Sequence, residues 1–193
     1  IEAFSPARIS ANAAVFDEQK LEWINGLYLQ ERSAQSIAEP VVDSWKERGW
    51  VSPELRNDDP YALRVIELLK DRSKRIAELA ESAGYFFADP QEYDPKAVKK
   101  RFKDDADRRL ESLASRLESL EEFTEQSTEE VFRAYAEETQ LSAGKLIHPT
   151  RLAVSGVSYG PGLFELLEAL GKETVLRRMR RAVARLRERS SEG

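Results

Sequence analysis

An all-α protein, built as two or three small helical bundles in tandem, is predicted by three observations. Apolar residues recur at helical spacing along most of the chain, strand-like alternation is too scarce to build a sheet, and Pro and Gly gather in only three places. Those places are 49–60, 89–95 and 144–162, which are taken as joints. No internal repeat of roughly 20 to 50 residues is evident.

The elements follow in order. Asp17 is placed to cap a first helix whose apolar face is Leu21, Ile24, Leu27 and Tyr28, and Ser33 to cap a second through Ile37, Val41 and Trp45. Pro40 lies inside that second pattern and should kink the helix or delay its start, because proline has no N–H to donate. From Tyr61, the positions Leu63, Ile66, Leu69, Ile76, Leu79 and Ala83 predict one long helix or two in succession, closed by Gly84 as a C-cap. Leu110, Leu113, Leu117 and Leu120 mark an amphipathic helix. Their spacing does not persist over the several heptads of a coiled-coil seam, so they are assigned to a core. Ser127 and Glu130 have capping-box spacing ahead of Val131, Phe132 and Tyr135. Pro161 at a first helical position, Gly162 and Leu163 next, and Gly171 as terminator frame a helix through Phe164, Leu167 and Leu170. A final helix carries the apolar stripe Leu176, Met179, Val183 and Leu186.

Composition narrows the function classes. The absence of cysteine removes disulfides and thiolate zinc sites together. No apolar run approaches the roughly 18 residues of a membrane span and no charged-then-apolar leader opens the chain, so a cytoplasmic setting without membrane contact is expected. A net charge of -5 weighs against nucleic acid, since binding RNA means neutralising phosphates. The distribution tilts the other way. Acidic residues crowd 104–130, whereas 172–189 carries Arg177, Arg178, Arg180, Arg181, Arg185, Arg187 and Arg189 against Glu173 and Glu188. Arg177, Arg181 and Arg185 lie about a turn apart, opposite the apolar stripe, and can face a phosphate backbone together; a solvated face is the other reading.

Catalytic chemistry is hard to find. The single histidine, His148, cannot supply a nucleotide signature that needs two, and there is no lysine-rich KMSKS-like loop, Walker motif, Gly-x-Ser-x-Gly elbow or cysteine nucleophile. No catalytic residue and no metal site is expected. The segment 145–179 instead offers RNA-reading groups: Arg151 can donate a forked pair of hydrogen bonds, and His148 or Tyr159 can stack on an unpaired base. A plainer account stays open, with His148-Pro149 as a turn, Tyr159 a rim aromatic and Arg151 a surface ion-pair partner.

Two segments, AVFDEQKLEWINGLYL at 14–29 and KLIHPTRLAVSGVSYGPGLFELLEALGKETVLRRM at 145–179, resemble in order and separation the C-terminal half of bacterial glutamyl-tRNA synthetases. The likeness runs from about Phe4 to Val183 and includes Arg8, Ile9, Trp23, Asn25, Gly26 and Tyr28. It rests on the joint occurrence of the Phe-Asp, Trp-x-Asn-Gly and Pro-Gly-Leu-Phe-Glu motifs. The resemblance implies a class I enzyme that joins glutamate to tRNA with ATP and magnesium, its catalytic domain lying upstream in cis. This chain would begin just past the active site, hold no cofactor, be inactive alone and act as a monomer with tRNA(Glu) as partner. The implied division is a partial stem-contact region at 1–36, a first anticodon-binding domain at 37–88 and a second at 89–193.

The same resemblance places His148, Arg151, Ser158, Gly160, Pro161 and Leu163 at the anticodon, and Tyr159, the stacking candidate that lies between them in sequence, is assigned to the same site. Family members often have Gln at the position of His148 and Thr or Ser at that of Gly160, so the resemblance implies that a contact through those side chains is absent or altered here. Arg133 matches a family arginine of the same domain; the alternative for it is a helix-face salt bridge with Glu129 or Glu137. Arg72, in LLKDRSKR, falls on an arginine that contacts the last anticodon base where glutamine tRNA is excluded. Cytosine there offers O2 and N3 acceptors, whereas guanine presents N–H donors that an arginine cannot accept. A slip of one turn would move the role to Arg75. The competing reading of the whole chain is a free-standing helical adaptor that binds protein and has no RNA specificity.

Overall fold

The computed structural model describes residues 17–191. The matched positions Phe4, Arg8 and Ile9 lie outside them, as does the side chain of Arg189. No strand occurs among the described residues. Short polar side chains cap several of the helix starts. Asp17 opens α1 (Glu18–Glu31) and Ser33 opens α2 (Ala34–Glu47), their side chains accepting the Lys20 and Ser36 N–H groups at 3.1 and 3.3 Å. Asp59 and Asp94 each precede a proline at the first helical position and cap α3 (Pro60–Lys70) and α6 (Pro95–Arg101). Between these lie α4 (Ile76–Ser82) and the short α5 (Gly84–Phe87). The chain continues through α7 (Ala106–Glu118), α8 (Glu125–Thr139), α9 (Gly144–Ser155), α10 (Leu163–Leu170) and α11 (Lys172–Ser191).

Most of the apolar stripes meet in one large core, beside which Ala97, Val98 and Leu152 form a small second cluster. Trp45, Ile66, Leu69 and Leu79 from α2–α4 join Leu113, Leu117, Leu166, Leu167 and Met179 from later helices, all essentially inaccessible to water. Trp45 keeps its indole N–H satisfied on the Ala80 carbonyl at 3.1 Å. Helix α2 packs on α3 and α4, α8 on α10, and α11 lies along α7 and against α9. Contacts of α3 with α10 and of α5 with α9 carry the core across position 88, so the bundles in tandem share one interior.

Several local expectations are corrected. Pro40 does not delay α2, which begins at Ala34; the ring is exposed and gives up one hydrogen bond on the solvent side. Gly84 is not a C-cap: Ala83 ends α4 and Gly84 opens α5, where a β-carbon would sit 3.1 Å from the Trp50 ring. The capping box lies one turn earlier than Ser127–Glu130, with Thr124 and Ser127 exchanging hydrogen bonds at 3.0 and 3.1 Å. Glu130 instead accepts from Gln126. Helix α1 does not bury its apolar stripe: Leu21, Leu27 and Tyr28 are exposed, and Gly26 and Leu29 face inward. Polar contacts dock it, through Asn25 and Gln30 on the carbonyls of Lys74 and Asp71 and through Glu22 on Lys74 and Arg75.

Candidate nucleic-acid interface

The turn after α3, the start of α5, the outer face of α9 and the α9–α10 connection enclose a cleft of about 610 Å³. It gathers Arg72, His148, Arg151, Ser158, Tyr159, Gly160 and Pro161 from three separate stretches of sequence. Much of the segment 144–162, expected as a loop, is helix α9, which runs through Pro149. His148 and Arg151 therefore stand three residues apart on one helical face. Two glycines then shape the connection. At Gly156, with φ +79°, a β-carbon would lie 2.8 Å from both the Glu92 carbonyl oxygen and the Pro90 side chain, so α9 can end against that segment only with glycine. Gly160, with φ +134°, brings the loop down until a β-carbon would stand 3.0 Å from the Tyr85 hydroxyl and 3.5 Å from Arg151 Nη1.

Pro161 is not the first helical residue. It is buried two positions before α10, and Gly162 is the cap, its N–H held by Glu165 Oε2 at 3.0 Å. Leu163 lies in the core rather than in the cleft, only 4 % exposed, and so holds the helix start in place. Arg133 does not line the cleft either: on α8 it pairs with Glu129 at 2.7 Å, one of the two salt-bridge partners open to it from sequence.

Tyr85 was not singled out by sequence, and it forms the floor. Its hydroxyl and Arg151 Nη1 are both buried and neither has a hydrogen-bond partner. Leaving such groups unmade costs about 1 to 3 kcal/mol each, so the pair is suited to a ligand that supplies acceptors. Burial pushes the Tyr85 phenol well above its ordinary range, which keeps it a donor at neutral pH. Burial also lowers the Arg151 pKa, opposed by Tyr85 and assisted by the Arg72 cation. Burial, then the Arg101, Arg151 and Lys100 cations, push His148 down, so its imidazole is neutral near pH 7 and offers one donor, one acceptor and a ring face. The signal for Tyr85 was present: a tyrosine beside Phe86 and Phe87 carries a polar handle that needs a partner when buried.

At the rim, Tyr159 is 66 % exposed. Glu78 accepts the Lys74 N–H at 2.8 Å and Glu81 pairs with Arg48 at 3.2 Å, so both carboxylates lining the cleft are already engaged. Arg72 stands in the turn just past α3 rather than within a helix, and among the described residues it makes no ion pair. Arg75 is held by Glu22 and does not line the cleft.

The arginines of α11 do not form the free face expected of them. Arg177 and Arg181 reach Asp89 at 2.6 and 3.9 Å, and Arg185 donates to the Gln91 carbonyl at 3.2 Å while covering the Tyr93 ring. Arg178, 3 % exposed, clasps Asp89 at 2.8 Å and the carbonyls of Tyr85, Val154 and Ala88 at 2.7, 2.7 and 3.0 Å. It ties α11 to the cleft floor and to α9. Hydrogen bonding to Arg177 first, and then to Arg178, holds the Asp89 carboxyl down at about 2 against its burial.

No three His, Asp or Glu side chains among the described residues converge to hold a metal ion. No helix among them is long and apolar enough to cross a membrane.

Residues 35–183 match the family described as anticodon binding domain. The chain is 44 % identical over 190 residues to a glutamate–tRNA ligase of Moorella thermoacetica, covering 97 % of this chain and 39 % of that protein. It is 36 % identical over 181 residues to glutamate–tRNA ligase 2 of Thermoanaerobacter pseudethanolicus, covering 93 % and 37 %. The chain thus spans about two-fifths of the length of the curated relatives it matches. Among solved structures, a glutamate tRNA ligase from Elizabethkingia meningosepticum in complex with its amino acid superposes with a TM-score of 0.81 at 28 % identity, over 95 % of this chain and 35 % of that one.

Proposed function

The chain belongs to the anticodon-binding domain family, and we propose that its cleft reads the anticodon of tRNA(Glu) as part of a glutamate–tRNA ligase. One observation carries the reading. A single cleft joins ring faces, a forked cation and two unpartnered buried donors, and single-stranded RNA is read by stacking and by hydrogen bonds to unpaired base edges. His148 and Tyr159 supply the ring faces, Arg151 and Tyr85 the floor donors, and Arg72 a second cation at the rim. In this reading the parts at 37–88 and 89–193 act together, because Arg72 and Tyr85 come from the first and the α9–α10 groups from the second. The parent enzyme, a monomer in the cytoplasm, joins glutamate to tRNA with ATP and magnesium bound by a catalytic domain in cis.

Arg72 is the proposed discriminator of the last anticodon base. Its N–H groups suit the O2 and N3 acceptors on the pairing edge of cytosine, whereas in the same place guanine turns its N1–H and N2–H donors toward them. The test is binding of the purified chain to an anticodon stem-loop with C or G at that position. A preference for C of about 1 to 3 kcal/mol is expected, as for a good bidentate base contact, and Arg72→Gln should shrink it because an amide accepts as well as donates. Equal binding of the two RNAs by the unaltered chain would overturn the reading.

A further inference from the structure

We propose that a second site, a basic cup where α6, α7 and α9 meet, binds the sugar-phosphate backbone of an RNA strand whose unpaired bases occupy the cleft. The inference rests on the cleft's being an RNA site. The cup encloses about 320 Å³ and is lined by Lys100, Arg101, Lys103, Arg109, Lys145 and His148, with Asp104 the one carboxylate in its lining. Among the described residues, no side-chain ion pair or hydrogen bond engages Lys100, Arg101, Lys103 or Lys145. Arg109 gives one N–H to the Lys103 carbonyl at 2.7 Å, and its Nε is buried without a partner.

Local helix electrostatics account for only part of this cluster. Lys99, Lys100 and Arg101 fall in the last turn of α6, where cations favourably meet the negative end of a helix dipole. Lys145 does the opposite. It is the second residue of α9, at the positive end of that helix, and it faces the α6 cations across the cup. Like charges set together against the dipole are relieved by an anion, and a chain of phosphates supplies several. His148 lines both the cup and the cleft, so a base stacked on its ring leads its own phosphate toward Lys100, Arg101 and Lys145. The contrast with α11 sharpens the assignment: there the arginines hold Asp89 and Gln91, and here the cations are unengaged.

The experiment measures binding of the chain to a cognate stem-loop and to one with a scrambled loop over a salt series. Lys100→Gln, Arg101→Gln and Lys145→Gln together should weaken both RNAs by about the same factor, tenfold or more. They should also flatten the log-log salt slope by about two units, at roughly 0.7 per lost contact to a single strand. A paired Arg177→Gln, Arg185→Gln variant should leave the slope unchanged. Thermal melting of each variant checks the fold, and should a triple variant melt early, Lys100→Gln with Lys145→Gln, both at exposed positions, gives the same reading at smaller size. An unchanged slope in the cup variants, or a slope lost in the α11 variant, overturns the cup. A chain that binds both RNAs with the expected slope but without loop preference retains the cup and overturns the reading of the cleft.

Discussion

Helix α11 and the cleft wall of α9 both present arginines to the same part of the molecule, and they do different things with them. Arg178 on α11 makes contact with one carboxylate and three carbonyls, and its neighbours Arg177 and Arg181 share that carboxylate. Arg151 on α9 is half-buried, and one of its nitrogens, itself buried, has no hydrogen-bond partner. A guanidinium whose three nitrogens all have partners is part of the scaffold; one left open beside an open tyrosine hydroxyl is suited to a ligand. The number of arginines on a helix therefore says little about binding, and their partners say much.

The largest test of that contrast removes the scaffold arginine. Arg178→Met strands the carbonyls of Tyr85, Ala88 and Val154 and should cost about 3 to 5 kcal/mol, as breaking a buried charged network does, lowering the melting temperature by roughly 10 °C. The pH dependence has a definite sign. Asp89 is held at about 2, below the ordinary aspartate value, so its stabilising contribution is present above about 3.9 and disappears as pH falls toward 2. Asp89→Asn should flatten the stability curve in that window and leave it parallel above pH 5. A stability loss under about 1 kcal/mol for Arg178→Met would place α11 among merely solvated helices.

Much of the helical frame was legible because caps and apolar spacing are local. Asp17, Ser33 and the stripe on α11 are read within one or two turns of chain. What escaped depended on contacts far apart in sequence. Pro149 signals a break locally, but the buried faces of Leu146, Thr150 and Leu152 keep α9 helical around it. The α1 stripe has the right period, but Leu21, Leu27 and Tyr28 remain exposed among the described residues. Arg177, Arg181 and Arg185 share a face as spacing requires, but their partners Asp89 and Gln91 lie some ninety residues upstream. Of the cleft, Arg72, His148, Arg151 and the loop at 158–161 were accessible through a resemblance to a known family. Tyr85 follows Gly84, whose local signal is that of a helix end, and only the contacts of α5 with α9 bring it to the cleft.

Tyr85→Phe sharpens the comparison at intermediate size. Removing a buried, unpartnered hydroxyl should leave stability unchanged or raise it by up to about 1 kcal/mol, while cognate RNA affinity falls by about 0.5 to 1.5 kcal/mol, the net worth of one hydrogen bond. Arg151→Ala should move affinity in the same direction, and more for the cognate loop than for a scrambled one. Urea unfolding and RNA titration on the same samples separate the two quantities. Stability and affinity falling together for Tyr85→Phe would make the floor scaffold, like Arg178.

The smallest effect concerns Arg133, which lies on α8 and outside the cleft. Its guanidinium is 77 % exposed and holds Glu129 one turn earlier, so it is a surface pair that solvent screens. An i,i+4 pair of this kind contributes about 0.3 to 0.5 kcal/mol, and the arrangement with the acid N-terminal is the favourable one for the helix dipole. Arg133→Ala should therefore shift the urea midpoint barely beyond error, and the shift should vanish at about 1 M salt, where the screening length is about 3 Å. RNA affinity and loop preference should not change at all. A loss of loop preference comparable with that of Arg151→Ala would show that the RNA extends across α8 and that the cleft is only part of the reading surface.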